Sequence, residues 1–387
     1  MTRGLSGPGL VRPVEPVRRG GAGAAQQAVR RQNLALVLGE IAAGEPVSRA
    51  GIAQRTGLTR GTVSSLVEEL IAAGLVTELA AARGGTGRPA NPLQLNRAGP
   101  AGLGIEIGVD GIGACVVDLS GTVRAQRVVP SEHRAREPAD GLDRAAELAA
   151  EVIADAGLSI AGAGVALPGV VGPDGVLQRA PNLPRWVDVA VDAALSARLG
   201  VAVDTANEAD LAALAELWFG ARLPDFVLVS AGIGVGAGIV VGGELFRGPG
   251  GRAGELGHVV VDPDGPACSC GGQGCLEQAA GQDALLRLAA AADVEALVDA
   301  PGAALAEAGR ALGIALTGLV NLLDVADVVL GGLYALLGDD LRAAVAAELR
   351  TRAPTRPEVR VHLSRPGTGG ALRAAAASVV RHRLRNP

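Results

Sequence analysis

Three of the chain's four cysteines and one of its four histidines fall in a single stretch, residues 254–281. His258, Cys268, Cys270 and Cys275 are spaced H-x9-C-x-C-x4-C. One imidazole and three thiolates make a complete tetrahedral donor set for zinc. Protein atoms would fill all four positions, so no water is left to activate and the ion is expected to be structural. Gly265, Gly271, Gly272 and Gly274 permit the tight turns that bring three sulfurs to one ion. The other reading is a reduced loop whose cysteines merely cluster. Glu255 and Glu277 bracket the set. The fourth cysteine, Cys115, lies in the apolar run Ala114-Cys115-Val116-Val117 and reads as core. Zinc-type spacing without paired disulfide candidates fits a reducing cytoplasm.

A second group of residues could read nucleic acid. Residues 1–97 carry 12 arginines against 6 acidic residues, a net of +6, while the remainder carries 23 against 34, a net of −11. Lysine is absent from the chain. A basic head on an acidic body points to a nucleic-acid contact confined to the first quarter. Residues 1–25 mix Gly, Pro and Arg without period and read as a disordered arm, either solvated or touching DNA phosphates.

The helical period then begins with Leu34, Val37, Leu38 and Ile41. Ser48 can cap a second helix that Gly57 ends, and Thr59 a third, Arg60 to about Ala73, stopped by Gly74. Val63, Leu66, Val67 and Leu70 line the inward face of that third helix. Two helices joined at Thr56-Gly57-Leu58 form a helix-turn-helix. Segments 75–78 and 92–95 suit two strands around a glycine-rich wing, Arg83 to Pro89. Arg60, Thr62, Ser64 and Ser65 occupy the outer face of the third helix near its N-terminus, where a recognition helix meets base edges. Arg83 and Arg88 suit the minor groove or its phosphates. A three-helix interaction module with a solvated polar face is the alternative.

From about Gly102 strands and helices alternate. Segments 102–109, 114–118, 123–129 and 161–167 read as strands, with a helix over 141–156. Val201–Val203 reads as a short strand, after which Asp204 to Asp210 opens a helix. Phe226–Ala231 runs into Gly232-Ile233-Gly234-Val235-Gly236-Ala237-Gly238, whose alternate glycines could let backbone N–H groups approach a phosphate. Helices over 282–292, 303–321, 339–350 and 371–385 and a strand over 325–330 complete the body. Ile314, Leu316, Leu319, Val320 and Leu323 form an apolar face that reads as core or dimer surface.

The stretch Gly254-Glu255-Leu256-Gly257-His258, followed by Cys268 through Glu277, resembles the signature of the ROK family of bacterial repressors, open reading frames and sugar kinases. Gly85-Thr86-Gly87-Arg88-Pro89 is similar to the wing of that family's repressors, whose kinases lack the head. The resemblance implies a winged helix-turn-helix head on a two-lobed, actin-like (ribonuclease H-like) α/β body, with a sugar held between the lobes. It implies that Glu255, His258 and Glu277 face sugar hydroxyls while zinc fixes their loop. Carboxylates accept pairs of hydroxyl hydrogens, and a metal-bound imidazole keeps its other nitrogen free to bond. Pro168–Val171 and Ala180–Leu183 are similar to two further family elements, which implies that Asn182 is another sugar contact; a loop asparagine capping its own turn is the alternative.

The kinase elements are altered. Where family kinases read N-D-A-N, with the aspartate as general base, this chain reads Asn207-Glu208-Ala209-Asp210. Asn207 and Glu208 could still bond hydroxyls, but a base one methylene longer disturbs near-attack geometry. The first phosphate loop, D-x-G-G-T in the kinases, is Glu106-Ile107-Gly108-Val109-Asp110, and Ile233 stands where a phosphate-bonding threonine is usual. Valine crowds bare backbone and Asp110 repels phosphate. ATP-dependent transfer is therefore expected to be lost and no catalytic residue is assigned.

The expectation is an arm over 1–25, a winged-helix head over 26–97 and a body over 98–387 with its zinc loop at 254–281. Its expected function is that of a sugar-responsive transcriptional repressor of carbohydrate genes. Its partners would be operator DNA, a monosaccharide or sugar-phosphate effector, and further copies as a homodimer or dimer of dimers. Neither an uninterrupted apolar run of roughly 18 residues nor a signal-peptide pattern is found, so a cytoplasmic, nucleoid-associated protein without a membrane span is expected. The alternatives are a working sugar kinase with an appended head and a regulator that answers a protein partner.

Overall fold

Apolar spacing and two side-chain caps build the head. In the computed structural model, which describes residues 22–80, 91–367 and 369–387, helices α1 (Ala22–Ala42), α2 (Arg49–Thr56) and α3 (Arg60–Ala72) close over buried Leu34, Val37, Leu38, Ile52, Val63, Leu66 and Leu70. Ser48 accepts from the Gly51 N–H at 3.1 Å, and Gly57, at φ 73°, ends α2. Thr59 accepts from the Thr62 N–H at 3.2 Å and starts α3. Strands β1 (Val76–Glu78) and β2 (Leu93–Leu95) pair antiparallel, Val76 opposite Leu95. The expected wing, with Arg83 and Arg88, lies outside the described residues. Helix α1 begins at Ala22, inside the stretch expected to be an arm. Ala24, Ala25, Gln26 and Gln27 are good helix formers and extend it backwards.

The first lobe is a five-stranded sheet. Strands β3 (Ala101–Ile107), β4 (Gly111–Val117) and β5 (Val123–Pro130) run antiparallel. Helix α4 (Pro138–Ala156) then crosses to β6 (Ile160–Leu167), parallel to β3. A small sheet of β7 (Val170–Val171), β8 (Leu177–Arg179) and β9 (Val187–Val189) precedes α5 (Val191–Leu199) and β10 (Val203–Asn207). The spatial order is β10-β6-β3-β4-β5. Asp204 to Asn207 are thus strand, not the opening of a helix, because they pair in parallel with Gly164 to Leu167.

Helix α6 (Glu208–Phe219) leads to the second sheet, β11 (Phe226–Ala231), β12 (Val235–Val241) and β13 (Glu244–Leu245). Helices α7 (Leu276–Ala280), α8 (Gln282–Ala289), α9 (Val294–Asp299) and α10 (Gly302–Leu323) follow. Strand β14 (Asp327–Gly332), α11 (Leu333–Leu336), α12 (Gly338–Arg352) and β15 (Arg360–Leu363) complete the sheet in the order β13-β12-β11-β14-β15. Helix α10 is long and apolar enough to cross a membrane, with mean hydropathy 1.4 over its most apolar window, half of which is buried. Its Ala304, Ala308, Leu312, Leu316 and Val320 lie in the core of the second lobe.

The last helix, α13 (Gly370–Arg385), ties these parts together. Its middle lies on the first sheet, where β3 and β6 present Gly102, Gly104 and Gly164. A Cβ at any of these would be driven into the carbonyl oxygen of Ala376, Leu372 or Ala375 respectively. Its alanine face also packs against α6, through Ala371, Ala374 and Ala375 with Leu211 and Ala215. Its far end places Val380 and Leu384 in the apolar core of the head. Sheet, α6 and head therefore share one rigid strut.

Replacing Gly104 by valine should force α13 off the sheet and lower stability by about 2–3 kcal/mol, as overpacking of a tight core does. Gly318→Ala on α10, where nothing lies within 4 Å of an added Cβ, should instead raise stability by roughly 0.5–1 kcal/mol. Urea unfolding midpoints of both variants check this; equal effects would show that the backbone approach of α13 is not a constraint.

Candidate functional site

The cysteine loop is narrowed by two bridge pairs, Val260 with Cys275 and Ala267 with Gln273. Gly274, at φ 67°, lies against the Asp262 carbonyl and has no room for a side chain. Its N–H donates to the Pro266 carbonyl at 2.8 Å, and the Cys268 N–H to the Gly272 carbonyl at 2.9 Å. These constraints bring one donor atom each from His258, Cys268, Cys270 and Cys275 within 4.8 Å of one another. The Cys268 sulfur lies 3.7 Å from His258 Nδ1, and the Cys270 and Cys275 sulfurs 3.7 Å apart. Ligands at about 2.3 Å on a tetrahedron stand roughly 3.5–3.8 Å from each other, so the four atoms suit a metal ion. Burial and the neighbouring thiols push the Cys275 thiol up to about 12, a cost that a divalent cation removes.

His258 uses its two nitrogens on different sides. Nδ1 faces the sulfurs, and Nε2 lies 3.9 Å from a Glu255 carboxylate oxygen. Both residues line a cavity of about 220 Å³ between the lobes. Glu277, in the first turn of α7, reaches the same cavity while accepting from the Val235 N–H at 3.1 Å. Tyr334 anchors α7 from below by donating to the Ala280 carbonyl at 2.9 Å. Asn182 presents its amide beside Gly234, where an added Cβ would lie 3.0 Å from the amide nitrogen and 2.8 Å from Glu277. The cavity thus gathers Asn182, Asn207, Glu208, Glu255, His258 and Glu277 from separate segments.

Asn207 is more occupied than its sequence context suggests. Its Oδ1 accepts from the Ala209 and Asp210 N–H groups at 2.7 and 3.2 Å, capping α6, and its Nδ2 donates to the Gly169 carbonyl at 2.8 Å. The glycine run 232–238 also divides in use. Gly236 and Gly238 belong to β12 and let α6 approach, their would-be Cβ atoms meeting Ala209 and Ala213. They are packing glycines in a strand and not a phosphate loop.

Glu106, Asp110 and Asp210, which by sequence stand for altered kinase elements or helix-end charge, all line the cavity. Burial and the Glu208 charge push the Glu106 carboxyl up to about 8. Burial and Asp110 push Glu208 up to about 7. Burial raises Asp210 to about 6 although Arg247 bonds it at 3.0 Å. Glu255 is raised chiefly by burial. The grouping arises because β3 and β10 end on the same side of one sheet, on either flank of β6.

In the head, Arg60 and Ser65 stand exposed on α3, and Ser64 is half-buried. The Thr62 hydroxyl lies 2.9 Å from that of Thr59 and belongs to the cap.

The folded chain keeps Glu106 and Glu208 protonated to about 8 and 7, whereas the unfolded chain releases those protons near 4.5. The folded state therefore binds more protons in this window, and stability should fall as pH rises from about 5 to 8. Glu106→Gln should flatten that slope and raise the unfolding midpoint most above about pH 8. A parallel pH profile in the variant would contradict the assignment.

Residues 102–381 match the ROK family and residues 35–85 the MarR family. The chain is 32% identical to the xylose repressor of Bacillus subtilis (strain 168) over 275 residues, 68% of this chain and 69% of the repressor. Its fold is similar to that of a ROK family transcriptional regulator described as a homologue of the Escherichia coli MLC protein. The TM-score is 0.76 at 25% identity, covering 92% of this chain and 97% of that one. A ROK family glucokinase from Streptomyces griseus, solved with glucose and AMPPNP, superposes on the body with TM-score 0.63 and 28% identity, over 72% of this chain and 98% of the kinase. A head of MarR type on a body matched from residue 102 to residue 381 agrees with the His/Cys loop signature and the cleft between two sheets: the chain belongs to the ROK family.

Proposed function

We propose that the chain is a sugar-responsive transcriptional repressor, with a winged-helix head over about 26–97 and a sugar-binding body over 98–387. The observation that carries this is the convergence of six polar side chains able to bond hydroxyls on one cavity, in a body whose last helix enters the core of a helix-turn-helix head. The likeness to a protein named as a xylose repressor supports it. D-Xylose is the first effector to try. Arg60, Ser64 and Ser65 would meet bases or phosphates from α3, with Thr62 holding its N-terminus and Arg83 and Arg88 supplied by the wing. A homodimer would present two heads to a near-palindromic operator.

Sugar in the cavity would favour closure of the lobes, and α13 would carry that change to the head. A ligand does this only if it binds the two arrangements with different affinity. His258, Cys268, Cys270 and Cys275 would hold a zinc ion that, when bound, fixes the loop carrying Glu255 and Glu277. No phosphoryl transfer is assigned: Val109 and Ile233 replace phosphate-bonding groups, and Glu208 stands in the place of the base.

Arg60→Ala should weaken binding to an operator selected from random duplexes by roughly 10–100-fold while leaving any sugar-induced thermal shift intact. Cys268→Ser should lose bound zinc, measured by atomic emission, and lose the sugar response while the isolated DNA affinity persists. Coupled-enzyme assay with ATP and the sugar panel should show no turnover; one turnover per second with any sugar would return the kinase reading.

A further inference from the structure

We propose that a cavity between the head and the body is a second binding site, for a small monoanion with an aliphatic chain. The cavity measures about 700 Å³, within the usual range of small-molecule sites. It shares no lining residue with the inter-lobe cavity, so this proposal stands apart from the sugar reading. Its walls come from the second half of α1, β2 and Arg97, the turn between β4 and β5, and the ends of α6 and α13.

The floor is apolar. Ile41, Leu119 and Val380 are buried at the edge of the head's core, and Leu95, Phe219 and Leu384 are half-buried beside them. Gly39 leaves part of the α1 wall bare, and a Cβ there would meet nothing within 4 Å. No packing contact accounts for a glycine inside this helix, where it is less stable than alanine. Its missing side chain keeps the cavity open.

Charge defines the other end of the ligand. Arg97, Arg381, Arg385 and Glu45 are the charged residues on the wall. Arg97 is occupied: it donates to Ser120 and Thr122 and lies 3.9 Å from buried Asp118. Neither Arg381 nor Arg385 has an ion-pair partner among the described residues. Arg381 is held in place by its stack on Trp218, 4.6 Å from the ring centroid. Burial, then the charges of Arg385 and Arg222, pull the Arg381 pKa below its ordinary range. An anion between the two guanidiniums would relieve that crowding, and their planar forks match a carboxylate. Two free cations against Glu45 leave one positive charge, which a monoanion balances. A medium-chain carboxylate supplies that charge and fills the apolar floor.

The test uses the full chain and isothermal titration with sodium decanoate, its neutral counterpart decanol, and acetate. Decanoate should bind at one site per chain, with decanol and acetate at least about tenfold weaker. In Arg381→Ala/Arg385→Ala the decanoate Kd should rise about tenfold or more while that of decanol stays within about twofold. Gly39→Leu, which sets a side chain in the open space, should weaken decanoate and decanol alike by about tenfold. Unfolding midpoints report whether each variant is folded, and the ligand series on the unaltered chain stands if neither is. The absence of saturable decanoate binding below about 1 mM overturns the proposal. Equal binding of decanol overturns the anion selection, and equal binding of acetate overturns the apolar part. Decanoate binding unmoved by both variants places the ligand elsewhere and overturns the site.

Discussion

The structure depends on the close approach of α13 to the first sheet. Glycines at 102, 104 and 164 leave no Cβ between strand backbone and helix backbone, so the alanine-rich middle of α13 lies almost on β3 and β6. Strand β3 ends at the cavity with Glu106 and β10, on the other side of β6, with Asn207, while α13 ends among the apolar side chains of the head. A close-packed strut has few intermediate positions, so a shift imposed at its sheet end would be passed on instead of absorbed. Linker side chains add to the joint: Arg97 donates to Ser120 at 3.2 Å and to Thr122 at 3.0 Å. Burial and packing thus place one helix, α13, against both the sheet that ends at the cavity and the core of the head.

The cavity itself is defined by crowded carboxyl groups, whose mutual proximity and burial hold Glu106 and Glu208 protonated toward neutral pH. Six carboxylates share a space of about 220 Å³, and one ion pair, Arg247 with Asp210, relieves them in part. Such crowding costs stability in the folded chain. It is tolerable where a ligand rich in hydroxyls supplies hydrogens to the same oxygens. His258 links this cavity to the cysteine loop, one nitrogen turned to each, so the loop's geometry sets the position of a cavity side chain.

Much of this was legible in the sequence where local rules act alone. Ser48, Thr59, Gly57 and Gly74 mark helix ends by capping and positive φ, and the elements fall where they indicate. The H-x9-C-x-C-x4-C spacing identified four donors that the fold brings together. Reading failed where the answer depended on tertiary pairing. Asp204–Asn207 became strand because β6 lies beside it, and Gly236 and Gly238 serve the approach of α6 instead of a phosphate. Glu106, Asp110 and Asp210 read as isolated substitutions, since nothing in their spacing reveals that the end of β3 and the start of α6 meet at one cavity.

The central claim is that sugar in the cavity and DNA on the head are linked. Its most direct measurement is a reciprocal titration on the full chain: operator affinity by fluorescence anisotropy with and without saturating sugar, and sugar affinity by calorimetry with and without operator. Linkage requires the same factor in both directions, and the account predicts a factor of about 5–150. Operator affinity unchanged by a sugar that demonstrably binds would contradict it.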